Sequence, residues 1–151
     1  MILVYPDSSF LCALYVQQVH SPQAIAYLQK QNAPIPLTSF VVFEFLQSIR
    51  LQEYLLGQDH RKGFPSSTGQ LAVNRFEEHR RAGLYIEQEY DWPDVLEITA
   101  RLSVAHTARI GCRALDMLRV ATALHLGARE FLTFDANQRK LAEAEGLPAP
   151  L

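Results

Sequence analysis

A chain of 151 residues, 48% of them hydrophobic and 20% charged, describes one globular domain with enough apolar material for a core. Fourteen Lys and Arg against sixteen Asp and Glu leave a net charge of -2, which supplies no global attraction to nucleic acid, so any polyanion must be held by local cations. The sequence reaches Asp7 before a long apolar stretch develops, and no segment approaches the roughly 18 apolar residues of a membrane helix, so neither export nor membrane insertion is expected.

Ile2 to Tyr5 is a short β-branched and aromatic run without polar alternation, the pattern of a strand covered on both faces, and it ends at Pro6-Asp7. Ser9 to Gln18 reads as a helix. Ser21 then serves as an N-cap with Pro22 at the first helical position, and a second amphipathic helix continues from Gln23 to Gln31. Pro34 to Leu37 is the next strand, and Thr38 or Ser39 caps a long helix to about Leu56. The polar, turn-rich stretch from Gly57 to Pro65 interrupts helices without dividing domains, and one domain over residues 1–151 is expected.

Thr68 to Arg81 is a helix ended by Gly83, Leu84 to Glu87 a third strand, and Trp92-Pro93 opens a helix to about Ala105. Ala114 to Leu126 forms the next helix, Phe131 to Phe134 a strand, and Ala136 to Glu145 a last helix stopped by Gly146. Strands separated by helical crossovers predict an α/β fold of three layers, with a central, mostly parallel sheet between helices and ligands bound beyond the carboxyl ends of the strands. Cys12 and Cys112 follow no CxxC spacing and read as reduced small hydrophobes of a cytoplasmic protein, with no structural zinc.

Four acids stand where the chain is otherwise apolar or turning: Asp7, Glu44, Asp116 and Asp135. An ionised carboxylate among apolar side chains loses hydration that a cation, hydrogen bonds or a metal must replace. Asp7 suits an N-cap, and Asp135 does too, with Gln138 completing the spacing of a capping box; a cap and a ligand are compatible roles. Glu44 lies about a turn and a half into its helix among apolar neighbours, so it either pairs with an arginine or faces a polar cleft. Asp116 shares a helix face with Val120, Ala123 and Leu124, and either pairs with Arg113 or Arg119 or joins a common site. Together the four are a hard-oxygen ligand set for Mg²⁺ or Mn²⁺, and such ions activate water toward phosphodiesters.

The order Tyr5-Pro6-Asp7-Ser8-Ser9, then Glu44 after the second strand, then Arg113-Ala114-Leu115-Asp116 leading into Val120-Ala121-Thr122-Ala123, then Leu132-Thr133-Phe134-Asp135 with Gln138 and Leu141-Ala142 to Gly146-Leu147, resembles a PIN domain. Within that family the sequence is most similar to the VapC-like toxin ribonucleases. The resemblance implies a magnesium-dependent endoribonuclease that cuts single-stranded or looped RNA, acts as a homodimer, and is inhibited by a cognate antitoxin. It implies an acidic pocket of Asp7, Glu44, Asp116 and Asp135, with Asp7 and Asp116 as direct metal ligands and Glu44 and Asp135 in support. Ser8 or Ser9 and Thr133 map onto hydroxyls that hydrogen-bond within such a pocket. Arg113, Arg119 and His106 are candidates to hold RNA by their proximity to Asp116, and His106 is equally suited to a helix-end dipole contact. Two features depart from the family pattern: the long stretch from Gly57 to Gly69, and a proline-limited end at Leu147 to Leu151 where any final strand must be short.

Other chemistries fit less well. No GxSxG, HExxH, P-loop or GxGxxG is present, and Asp7-Ser8-Ser9 lacks the second aspartate of an aspartate-nucleophile phosphatase. The alternatives are such an acid-pocket phosphatase and a non-catalytic module that binds metal or RNA.

Overall fold

The computed structural model describes residues 2–151. Its elements run β1 (Val4–Pro6), α1 (Ser8–Tyr15), α2 (Ser21–Gln29), β2 (Ile35–Leu37), α3 (Ser39–Gln58), α4 (Ser66–Arg81), β3 (Tyr85–Glu87), α5 (Trp92–Ile110), α6 (Ala114–His125), β4 (Glu130–Leu132) and α7 (Ala136–Ala144). The α/β alternation read from the sequence is present, with strands shorter than the apolar runs that encode them. Helix α1 stops at Tyr15 rather than Gln18, and α5 continues to Ile110 rather than Ala105. At its end Gly111 takes φ 73 and returns its N–H to Thr107.

All strand pairing is parallel. β1 pairs with β4 in the register Val4 to Glu130, Tyr5 to Phe131 and Pro6 to Leu132, and β2 pairs with β3 from Ile35 opposite Tyr85 to Leu37 opposite Glu87. β1 and β2 lie side by side between these two ladders. Prolines at positions 6 and 36 lack the N–H that a continuous ladder needs, which suits the brevity of the strands. Helices α1 to α4 pack among themselves, as do α5 to α7, and the strands are the middle layer. β1 and β2 are buried throughout, as expected of strands covered on both faces.

Tyr5 stacks on Phe131 across the β1–β4 ladder, and Tyr15, Phe45, Phe76 and Tyr85 pack as an aromatic cluster joining α1, α3, α4 and β3. The polar stretch after α3 is short because α3 extends to Gln58 and α4 begins at Ser66. It is pinned where Gly63 crosses α3: φ is 67, and a Cβ there would stand 1.9 Å from the Gln52 carbonyl oxygen, so only glycine fits. At the other terminus no final strand forms among the described residues. The proline-rich end contributes one sheet-like bond, from Phe131 N–H to the Pro148 carbonyl at 2.8 Å. No helix among the described residues is long and apolar enough to cross a membrane.

Candidate metal centre at the strand ends

The carboxyl ends of β1, β2 and β4 open onto one place, and each acid arrives there by a different local device. Asp7 follows β1 directly, is 1% exposed, and caps α1 by accepting the Phe10 N–H at 3.1 Å. Ser9 Oγ donates to the same oxygen at 2.6 Å and Thr133 Oγ1 donates to the other at 2.7 Å. Ser9 in turn accepts the Phe134 N–H, and Thr133 accepts the Asp135 N–H, so the two strand ends are laced together through hydroxyls. The hydroxyl bonded to the first acid is that of Ser9 and not of Ser8.

Glu44 is brought in by helical periodicity. On α3 it shares the buried side with Val41, Phe45 and Ile49, which leaves its carboxylate 8% exposed. The partner is Arg119 on α6: Nε donates to both Glu44 oxygens at 3.0 and 2.9 Å, and Nη2 bonds Oε1 as well. Arg119 Nη1 donates to Asp116 Oδ1 at 2.8 Å, one turn earlier on its own helix. Asp116 Oδ2 accepts the Arg113 N–H at 3.1 Å and so helps to cap α6. Of the two readings open for Glu44 and for Asp116, the arginine pairing is the one observed, with Arg119 serving both.

Gln138 on α7 closes the arrangement. Oriented to match donors with acceptors, its amide donates to Asp7 Oδ2 at 3.1 Å and accepts from Arg119 Nη1 at 2.9 Å. The side chain is 3% exposed. It therefore does not return to the helix start as a capping-box partner; the pocket's donors and acceptors outcompete a cap that backbone amides already satisfy. Asp135 is the N-cap of α7, its Oδ1 accepting the Asn137 and Gln138 N–H groups at 2.9 Å each. Ser21 also departs from its expected cap role: His20 holds the cap position of α2, while Ser21 Oγ ties the preceding turn through Gln18 N–H and the Val16 carbonyl.

Burial pushes the Asp7 carboxyl above its usual range, against the opposing pull of Ser9, Thr133, the Phe10 N–H and the Arg119 charge. The cause is lost hydration, not the like-charge repulsion that a cluster of four acids suggests. For Arg119, burial works against the charged form, but the Glu44 hydrogen bonds and the Glu44, Asp7 and Asp116 charges outweigh it and hold the guanidinium above its usual value. Burial, then the charges of Asp116 and Asp135, raise the Cys112 thiol.

The candidate RNA-holding cations are distributed differently from their sequence proximity. Arg119 is spent on Glu44 and Asp116. Arg113 is exposed and serves Asp116 through its backbone. His106 is 6% exposed and bonds Glu145 at 2.6 Å, tying α5 to the end of α7; it is neither a dipole contact at a helix end nor a presented cation. Arg101 joins the same carboxylate at 2.7 Å.

All the converging donors are carboxylate, amide or hydroxyl oxygens, a set that in kind fits a hard divalent ion. Asp7 strengthens the fit, being deeply buried with no cationic side chain bonded to it directly among the described residues. In arrangement, however, no group of three or more His, Cys, Asp or Glu side chains is poised to hold a metal among the described residues, and the cation that two of the acids share is Arg119.

Fold and site together define a parallel α/β domain with an acidic cluster beyond its strand ends. The PIN domain model matches residues 4–144, and the chain belongs to the PIN domain family. The crystal structure of FitAcB from Neisseria gonorrhoeae is similar over 97% of this chain and 96% of that one, with a TM-score of 0.65 and 16% identity. The crystal structure of PAE2754 from Pyrobaculum aerophilum is similar over 93% of this chain and 79% of that one, with a TM-score of 0.57 and 15% identity. At those identities the likeness is one of fold. No curated protein matches the sequence. PIN domains are typically nucleases, often the toxins of toxin-antitoxin systems, and generally use divalent metals.

Proposed function

We propose that this protein is a Mg²⁺-dependent endoribonuclease, with Mn²⁺ as a substitute, and the toxin of a toxin-antitoxin pair. The observation that carries the reading is the convergence of Asp7, Glu44 and Asp116 on one Arg119–Gln138 link, beside Asp135, at the carboxyl ends of the strands. Family membership supports nucleic-acid hydrolysis over an acid-pocket phosphatase. The similarity to FitAcB supports an antitoxin partner, and we extend the proposal to a cytoplasmic homodimer acting as a single domain over the whole chain.

Asp7 and Asp116 are the residues that would hold the ion, with Asp135 in support beside them and Glu44 kept on Arg119. When bound, it supplies Lewis acidity toward a phosphodiester and lowers the pKa of its water. The protein's own part is orientation. Ser9, Thr133, Gln138 and the Phe10 N–H fix both Asp7 oxygens, so the carboxylate is already placed before any ligand arrives. Asp135 uses Oδ1 to cap its own helix. Local cations rather than overall charge must hold the polyanion, and Arg113 is the exposed one nearest Asp116 in sequence.

Cleavage of a fluorescent structured RNA tests the proposal. Wild type should cut with Mg²⁺ or Mn²⁺ and stop with EDTA, and Asp7→Ala should lose about 100-fold or more. Equal cutting by wild type and Asp7→Ala would refute it. One observation favours a second reading, a non-catalytic module that binds metal or RNA: Arg119 already neutralises Glu44 and part of Asp116. That reading gains if neither protein cuts while metal still binds.

A further inference from the structure

The pocket's charge is partly balanced from within. Arg119 reaches it from α6 with a side chain 14% exposed, and Nε, Nη1 and Nη2 all have protein acceptors: both oxygens of Glu44, Asp116 Oδ1, and the Gln138 carbonyl. Such a fork, planar and permanently charged, satisfies Glu44 through two oxygens at once and has little left to offer a phosphate. Each oxygen of Asp116 already has a protein donor, from Arg119 and from the Arg113 N–H. Asp7 accepts from Ser9 and Phe10 on one oxygen and from Thr133 and Gln138 on the other. Every oxygen of Asp7, Glu44 and Asp116 thus already has a protein donor, around one guanidinium.

We propose that Arg119 is a built-in cation of the acidic pocket, which withholds Glu44 from divalent ions, competes with them for Asp116, and so limits the site to one weakly held ion. The inference rests on the metal-centre reading above and deepens it. Three physical points carry it. A guanidinium on Asp116 and a divalent ion on the same carboxylate repel each other across a short, poorly screened distance. Glu44 cannot turn to a metal without abandoning Arg119 in a part-buried site, where an unpaired charge is strongly disfavoured. Removing the guanidinium, conversely, leaves two carboxylates that lack a counter-ion and therefore recruit one.

The test uses Mn²⁺ alone as probe and the full chain, with calorimetry and the spin-resonance signal of free Mn²⁺ reading stoichiometry and affinity. Wild type should bind at most one ion. Arg119→Met should bind a second ion, or bind the first roughly tenfold or more tightly. Because Arg119→Met strands Glu44, the double variant Glu44→Gln with Arg119→Met is measured beside it; it should fold, bind one ion, and bind it more tightly than wild type. In wild type, the Arg119 Nε–H resonance should exchange slowly with water and shift when Mg²⁺ is added. Variants that fold and bind Mn²⁺ with wild-type stoichiometry and affinity would overturn the proposal, as would an Arg119 resonance unmoved at saturating Mg²⁺. If Arg119→Met does not fold, the double variant and the resonance decide. If no protein of the set binds Mn²⁺, this proposal and the metal-centre reading fall together; if binding behaves as described but RNA is not cut, only the nuclease reading falls.

Discussion

Asp7 shows how one residue acts on stability with opposite signs. As a cap it satisfies an orphan amide of α1, yet as a carboxylate 1% exposed it is held above its usual pKa by lost hydration. A folded-state pKa raised above the ordinary carboxyl value of 3.8 means that the native state binds more protons than the unfolded chain between the two values. The contribution of Asp7 to stability is therefore full below pH 3.8 and is lost as pH rises through the folded value. Asp7→Asn keeps a capping oxygen and removes the charge, so at neutral pH it should melt at or above wild type, with the difference shrinking toward acid; an Asp7→Asn variant that is less stable at pH 7 and parallels wild type across pH would contradict this. Glu44→Ala should do the reverse, because it leaves the part-buried Arg119 without its main partner; chemical denaturation should show a loss of about 3 kcal/mol. At this scale much of the acidic cluster was legible. Asp7, Glu44, Asp116 and Asp135 stood out because acids at strand ends or inside apolar helix runs demand an explanation. Gln138 and the role of Arg119 were not legible, since a glutamine three residues after a cap already has a local explanation and an arginine three residues after an acid already has a partner. Only tertiary placement shows that both reach across to other elements.

At the scale of elements, the pocket depends on where helices begin. Thr38 caps α3 by accepting the Val41 N–H and also bonds the Tyr5 hydroxyl at 3.1 Å, which fixes the helix carrying Glu44 against β1. Thr38→Ala should lower stability by about 1–2 kcal/mol and disturb the register of Glu44 against Arg119, visible as a lower melting temperature and a shifted Arg119 Nε–H resonance. The C-terminal end of α7 is tied by Glu145, which receives His106 and Arg101 from α5. The Arg101 hydrogen bond, the largest effect, holds Glu145 below its usual value against burial, and the His106 hydrogen bond and the charges of Arg101 and His106 add to it. With the folded pKa lowered, the contribution of Glu145 is present above its ordinary value of 4.5 and is lost as pH falls through the folded value. Thermal melts should therefore separate Glu145→Gln from wild type at pH 7 and bring them together in acid; equal melts at both pH values would contradict the tie. Helix existence was read well because proline, threonine and glycine punctuate the chain. Helix ends were read less well: α5 runs past Ala105 because nothing before Gly111 breaks it, and Ser21 lies inside α2 because its hydroxyl is used in the turn before it.

For the whole molecule, parallel strand pairs bring Asp7 and Asp135 to neighbouring ends although 128 positions separate them in the sequence, since β1 and β4 are partners. Parallel pairing is what alternating strands and helices predict, while the partnership of β1 with β4 comes from the structure. What alternation cannot encode is that the sheet is made of two short ladders, or that the proline-rich end contributes a single bond in place of a strand. The same architecture buries Asp7 at the strand ends, where neutral-pH stability is sacrificed, the pattern expected of a functional site. The most direct test of the account is the rate of Mn²⁺-dependent RNA cleavage by Asp7→Asn, measured at a temperature where both it and wild type are folded. The account predicts a protein at least as stable as wild type that has lost cleavage by about 100-fold or more; a stable Asp7→Asn that cuts RNA at the wild-type rate would contradict it.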